Sequence, residues 1–150
     1  MRLDWADVRR AFAETWPYLL SHHLPHRRYR CYRLQLRGHR VDLCARCTGI
    51  YPGILAGLLG YFFAPQPFTE FVLVVTLPLP ALIEWSVTSL GTSRGYNAVR
   101  TATGGLLGYG YGLGLGALFL SGDLRVLVVG LVYASLAGGL LALKRRRLLT

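Results

Sequence analysis

Four apolar segments dominate this 150-residue chain: Cys47 to Ala64, Phe71 to Leu90, Thr101 to Leu120 and Val126 to Leu143. Each is close to the roughly 20 residues that carry an α-helix across bilayer hydrocarbon. Three of the four contain no Asp, Glu, Lys or Arg. Buried strands run to only about 4–8 residues, so the expectation is an all-α membrane protein with about four transmembrane helices. An apolar content of 53% and 18 glycines fit that class.

The net charge of +10 is distributed as a membrane protein would carry it. Ten of the 17 basic residues precede Cys47, and Lys144-Arg145-Arg146-Arg147 close the last segment. Arg94 and Arg100 flank the connection between segments two and three, whereas Ala64–Glu70 has no basic residue and Ser121–Arg125 has one. The positive-inside rule then puts both termini in the cytoplasm of a multi-pass cell-membrane protein. The basic collar faces anionic lipid headgroups, and without a soluble recognition fold it does not indicate a nucleic-acid partner.

The first 20 residues carry Asp4, Asp7, Glu14 and three arginines instead of the apolar core of a cleavable signal. Trp5, Val8, Phe12, Trp16 and Leu19 recur at three- and four-residue steps behind Asp4, a suitable N-cap. That pattern predicts an interfacial amphipathic helix. The chain therefore divides into an interfacial helix at 1–20, a basic Cys/His segment at 21–46, a bundle at 47–143 and a basic cytoplasmic tail at 144–150.

Within the third segment Gly104, Gly108, Gly112 and Gly116 stand four apart, with Gly110 and Gly114 beside them. On a helix they form a smooth ridge that admits another backbone closely, and such a ridge could also join two copies in a homo-oligomer. A phosphate-cradling loop would need a preceding strand. Pro78 and Pro80 predict a kink in the second segment.

The chemistry-bearing residues gather ahead of the bundle. Cys31, Cys44 and Cys47 share the N-terminal third with His22, His23, His26 and His39, and no Cys or His follows Cys47. Three thiols and one imidazole suit a tetrahedral metal, zinc or iron, with Cys31, Cys44, Cys47 and His22 as ligands. The spacing of Cys44 and Cys47 serves thiol redox exchange as well, or no chemistry at all. A disulfide is disfavoured in a reducing cytoplasm, and Arg46 between the two cysteines would lower their thiol pKa values.

A second cluster begins at Glu84, about six residues before the end of the second segment. An intramembrane acid faces the protein interior, pairs with a cation and marks function by default; Arg94 and Arg100 are the cations considered. Asn97, Arg100, Thr103 and Gly104 share one helical face, directed at Glu84. As an active site this cluster would use Glu84 as general base, Arg100 to hold an anion and Asn97 beside them. As structure it would lock three helices together.

These motifs resemble the uncharacterised prokaryotic membrane-protein family known as domain of unknown function 2085, over most of the chain. The resemblance lies in His22-His23-Leu24-Pro25-His26-Arg27-Arg28, in Cys44 through Gly53, and in Glu84, Gly91, Asn97, Arg100 and Thr103-Gly104. Family members often have a cysteine where this chain has Ser21, and an aspartate at Glu84. The resemblance implies that both clusters belong to one site whose ligand set is one cysteine short unless Cys31 replaces it. A three-coordinate site would leave an open position, as catalytic metals do.

Three functions follow as expectations: a metal-dependent membrane enzyme acting on a lipid or other membrane-associated substrate; a non-catalytic carrier, ion or solute transporter, or assembly factor with a structural metal; and a thiol oxidoreductase using Cys44 and Cys47.

Overall fold

The computed structural model describes residues 4–21, 23, 25–36, 39–65, 67–91 and 93–149. Helix α1 spans Trp5–Leu20, and its first turn is closed by Asp4, whose Oδ1 accepts the Ala6 amide at 3.0 Å. Trp5 and Phe12 are 81% and 58% exposed, so the predicted apolar stripe lies open at those positions. A membrane interface is the medium that suits such a face.

The basic Cys/His segment carries regular structure of its own. A 3₁₀ turn, Pro25–Arg30, leads into an antiparallel hairpin of β1, Cys31–Leu36, and β2, His39–Cys44. The purely helical expectation is corrected here by a two-stranded sheet. Its cause is local: Tyr32, Leu34 and Leu36 alternate with Arg33 and Gln35, the period of a strand. Asp42 lies opposite Arg33 and pairs with it at 3.8 Å and with Arg28 at 3.4 Å.

Helix α2, Ala45–Phe63, leaves the hairpin without a linker. Helix α3, Phe71–Thr76, ends at the turn Leu77-Pro78, and α4, Leu79–Leu90, continues, so the predicted proline interruption is present. Helix α5 spans Asn97–Ser121, ending at Gly122 in the left-handed region (φ 65°). Helix α6, Arg125–Leu149, runs straight through the basic tail.

All four apolar segments are helical, but two helices among the described residues, not four, are long and apolar enough to cross a membrane by length and composition: Phe71–Leu90 and Arg125–Arg146. In α2 and α5 glycine and tyrosine take places that more strongly apolar residues fill in the other two segments. The reason is their contact. Gly49, Gly53 and Gly57 of α2 interleave with Gly104, Gly108 and Gly112 of α5, all six buried. A Cβ at Gly53 would stand 2.5 Å from the Gly105 carbonyl oxygen, and one at Gly104 would stand 2.6 Å from that of Arg46. These ridge glycines are thus packed against α2 within the chain.

Candidate functional site

The hairpin and the first turn of α2 gather the cysteines. Cys31 and Cys44 are register partners, buried at 6% and 2% exposure, and Cys47 follows one helical turn after Cys44. All three are thiols. The Cys44 Sγ stands 3.4 Å from Nε2 of His23, and the Cys31 Sγ stands 3.3 Å from the hydroxyl of Ser21. His22, the expected fourth ligand, lies outside the described residues; its neighbour His23 is the imidazole seen beside Cys44.

Burial pushes the Cys31 thiol up, outweighing the Ser21 hydrogen bond and the nearby Arg28, which pull it down. At Cys31 desolvation disfavours the thiolate more than those charges favour it. Among the described residues no three His, Cys, Asp or Glu side chains adopt a metal-holding geometry. The side chains that could hold a thiophilic metal are the three thiols of the hairpin and the helix start, with the His23 imidazole, which precedes the hairpin, beside Cys44.

Glu84 forms the second centre, in α4, with its side chain 9% exposed. One carboxylate oxygen pairs with Nη2 of Arg46, and the other lies 3.4 Å from Nε of Arg100. Arg100 is 3% exposed and donates to the Asn97 side-chain oxygen at 3.0 Å and to the Arg94 carbonyl. Gly95, at φ 65°, gives this cluster its room: a Cβ there would meet Thr88, Arg100 and Glu84. Arg94, the other expected cation, lies over the Tyr29 ring at 5.7 Å, and Thr103 bonds back to Val99 within its own helix.

Arg46 is the partner that sequence reasoning missed. It stands between Cys44 and Cys47, so the signal was there, but as a modifier of thiol pKa instead of a cation for Glu84. Its Nε and the Glu84 Oε1 are buried without a hydrogen bond among the described residues.

The two centres are physically joined. The Asn97 amide donates to the carbonyls of Tyr29 and Cys31 at 3.0 and 3.3 Å. Thr101 donates to the Ala45 carbonyl at 2.8 Å and lies 2.9 Å from the Tyr32 hydroxyl. Thus the start of α5 holds the hairpin, the start of α2 and the end of α4 in one polar layer.

Residues 26–113 match the family described as "Predicted membrane protein (DUF2085)", and the chain belongs to that family. It is similar to an uncharacterised protein of Methanocaldococcus jannaschii, 27% identical over 97 residues, which cover 61% of this chain and 58% of the relative. It is also similar to an uncharacterised protein of Methanothermobacter thermautotrophicus, 33% identical over 84 residues, covering 51% of this chain and 76% of that one. The chain thus spans little more than half the length of the first of these relatives. No solved structure matches it.

Proposed function

We propose that this member of the family is a multi-pass membrane protein whose cytoplasmic face carries a thiolate metal clasp, zinc or iron, that fixes the N-terminal hairpin to the helix bundle. The observation that carries the reading is the convergence of Cys31, Cys44 and the His23 imidazole, with Cys47 one turn further along α2. Cys31, Cys44 and Cys47 would supply thiolates, and His22 or His23 the nitrogen. A bound metal would supply cross-linking between two short elements that bury little apolar surface of their own.

In this reading α2 and α5 also cross the bilayer, as a pair, with both termini in the cytoplasm. Their shared face is glycine, while Leu55, Leu59, Phe62 and Phe119 are exposed, each by half or more, on the outside. Such a surface suits lipid, and a helix pair that hides its backbone in its own contact needs no high apolar content.

The carrier or assembly-factor form is favoured over the enzyme. Glu84 is engaged by two guanidiniums, and Arg100 is buried with partners at Glu84, Asn97 and the Arg94 carbonyl. A general base needs access to a substrate proton, whereas this arrangement supports a lock between helices. Burial of Cys31 and Cys44 likewise favours ligation or structure over exchange with an external thiol.

The test is elemental mass spectrometry on detergent-purified wild type and Cys44→Ser. Near-stoichiometric zinc or iron that is lost in the variant is the expected result. Absence of metal from the wild type overturns the clasp.

A further inference from the structure

A cavity of about 800 Å³ opens between α4, α5 and α6, within the ~300–1,000 Å³ usual for small-molecule sites. Its wall includes Trp85 of α4, Leu107 and Leu118 of α5, and Val126 and Gly130 of α6. From Leu107 to Leu118 the groove follows eleven residues of α5, about 16 Å at ~1.5 Å per residue. That is about half of the ~30 Å hydrocarbon thickness, or one leaflet. Helix α6, which closes one side, has no buried residue between Arg125 and Arg146.

One end of this apolar groove is charged. Among the described residues that line it, Arg46 alone carries a charge. Arg46 and Arg100 face the single carboxylate of Glu84, so the buried cluster holds one positive charge in excess. The Arg46 Nε is also a buried donor without a hydrogen bond among the described residues. A buried charged group left incompletely paired is costly, and a ligand anion removes that cost.

We propose that the groove binds an anionic membrane phospholipid, with one acyl chain between α4, α5 and α6 and the acidic headgroup at Arg46. Shape and charge argue for the same occupant. With α4 and α6 set in a bilayer, as the proposed function has them, the walls offer a chain-length apolar slot, and Arg46, the one charged residue among the described residues that line it, lies at one end, in the layer shared with the hairpin. This site is independent of whether the cysteines hold metal, since none of them lines the groove.

Trp85 lines the groove and serves as its reporter. In a Trp5→Phe, Trp16→Phe background it is the sole tryptophan of the chain. The protein is placed in phosphatidylcholine nanodiscs, and brominated phosphatidylglycerol or brominated phosphatidylcholine is added as quencher. Phosphatidylglycerol is expected to reach half-quenching at a mole fraction on the order of tenfold lower, the contribution of one charge-assisted hydrogen bond.

Arg46→Gln should bring the two lipids level. Gly130→Leu should weaken quenching by both: a Cβ at Gly130 meets nothing within 4 Å, so the added side chain has room in the groove, and the ion cluster is untouched. Equal quenching by the two lipids in the parent protein overturns the proposal, as does selectivity that survives Arg46→Gln. Quenching by neither lipid, as when a second copy fills the groove, also overturns it. The parent protein and Gly130→Leu keep the test decisive if Arg46→Gln does not fold.

Discussion

The side-chain amide of Asn97, at the first turn of α5, donates to the backbone carbonyl of Cys31 at 3.3 Å, across 66 positions of sequence. The same amide reaches the Tyr29 carbonyl, and its oxygen accepts from Arg100. One side chain therefore couples the thiol hairpin to the ion cluster of the bundle.

Replacing Asn97 with Ala removes both carbonyl contacts and leaves the buried Arg100 short of an acceptor. The expected loss is about 1–3 kcal/mol, the usual cost of leaving a buried polar group unsatisfied. Because α2 and α5 still interlock, the damage should concentrate at the hairpin. The measurement is the rate of Cys31 alkylation in a Cys44→Ser, Cys47→Ser background, which should rise several-fold in Asn97→Ala. An unchanged rate would show that the hairpin is held by something else.

Glu84→Gln keeps the shape of the side chain and removes its charge, leaving Arg46 and Arg100 beside each other without a counterion. Breaking a buried pair typically costs about 3–5 kcal/mol. The lower end applies here because the Arg46 side chain is 24% exposed. Thermal unfolding in detergent should drop accordingly, and Glu84→Asp, which keeps the charge on a shorter arm, should fall between wild type and Gln. A Glu84→Gln protein as stable as wild type would remove the lock from the account of the fold and restore interest in Glu84 as a reacting group.

Much of this layout was legible because helical periodicity and capping are local. Asp4 and the Trp5–Val8–Phe12 spacing marked α1, Pro78 marked the α3–α4 break, and the four-residue glycine repeat marked the face on which α5 is approached. What failed depended on partners. The hairpin was hidden because arginines crowd the segment and its strand alternation is short. The identity of the helix that meets the glycine ridge, and of Arg46 as a second cation at Glu84 beside the expected Arg100, depends on tertiary packing that no spacing encodes. The same packing explains why α2 and α5 are less apolar than Phe71–Leu90 and Arg125–Arg146: close contact of their backbones takes over what bulky side chains do elsewhere.

His23, and not only His22, enters the ligand question through its 3.4 Å approach to Cys44. If the metal clasp is correct, His23→Ala should lose metal to a mild chelator faster than wild type, since loss of one of four donors weakens retention and opens the site. His22→Ala in parallel assigns the nitrogen, because only the ligand's removal should accelerate loss. Metal content equal to wild type after chelation in both single variants and in the His22→Ala, His23→Ala double variant would confine the site to cysteines.

The glycine interface makes the sharpest demand on residue size. At Gly53 an added Cβ meets the carbonyl oxygen of Gly105 at 2.5 Å and the amide nitrogen of Tyr109 at 3.0 Å, both backbone atoms that cannot swing away. Gly53→Val must therefore push the two helices apart along the whole interleaved face, and a cost at or above the ~1–3 kcal/mol of ordinary overpacking is expected. Gly138→Ala is the matched control. It lies within α6, nothing stands within 4 Å of its added Cβ, and alanine's helix propensity should leave stability unchanged or raise it by up to about 1 kcal/mol. Unfolding of the two variants in the same detergent separates close packing from a general intolerance of substitution: a large loss at Gly53 with none at Gly138 is expected, and equal behaviour would mean that α2 and α5 do not meet through their glycines.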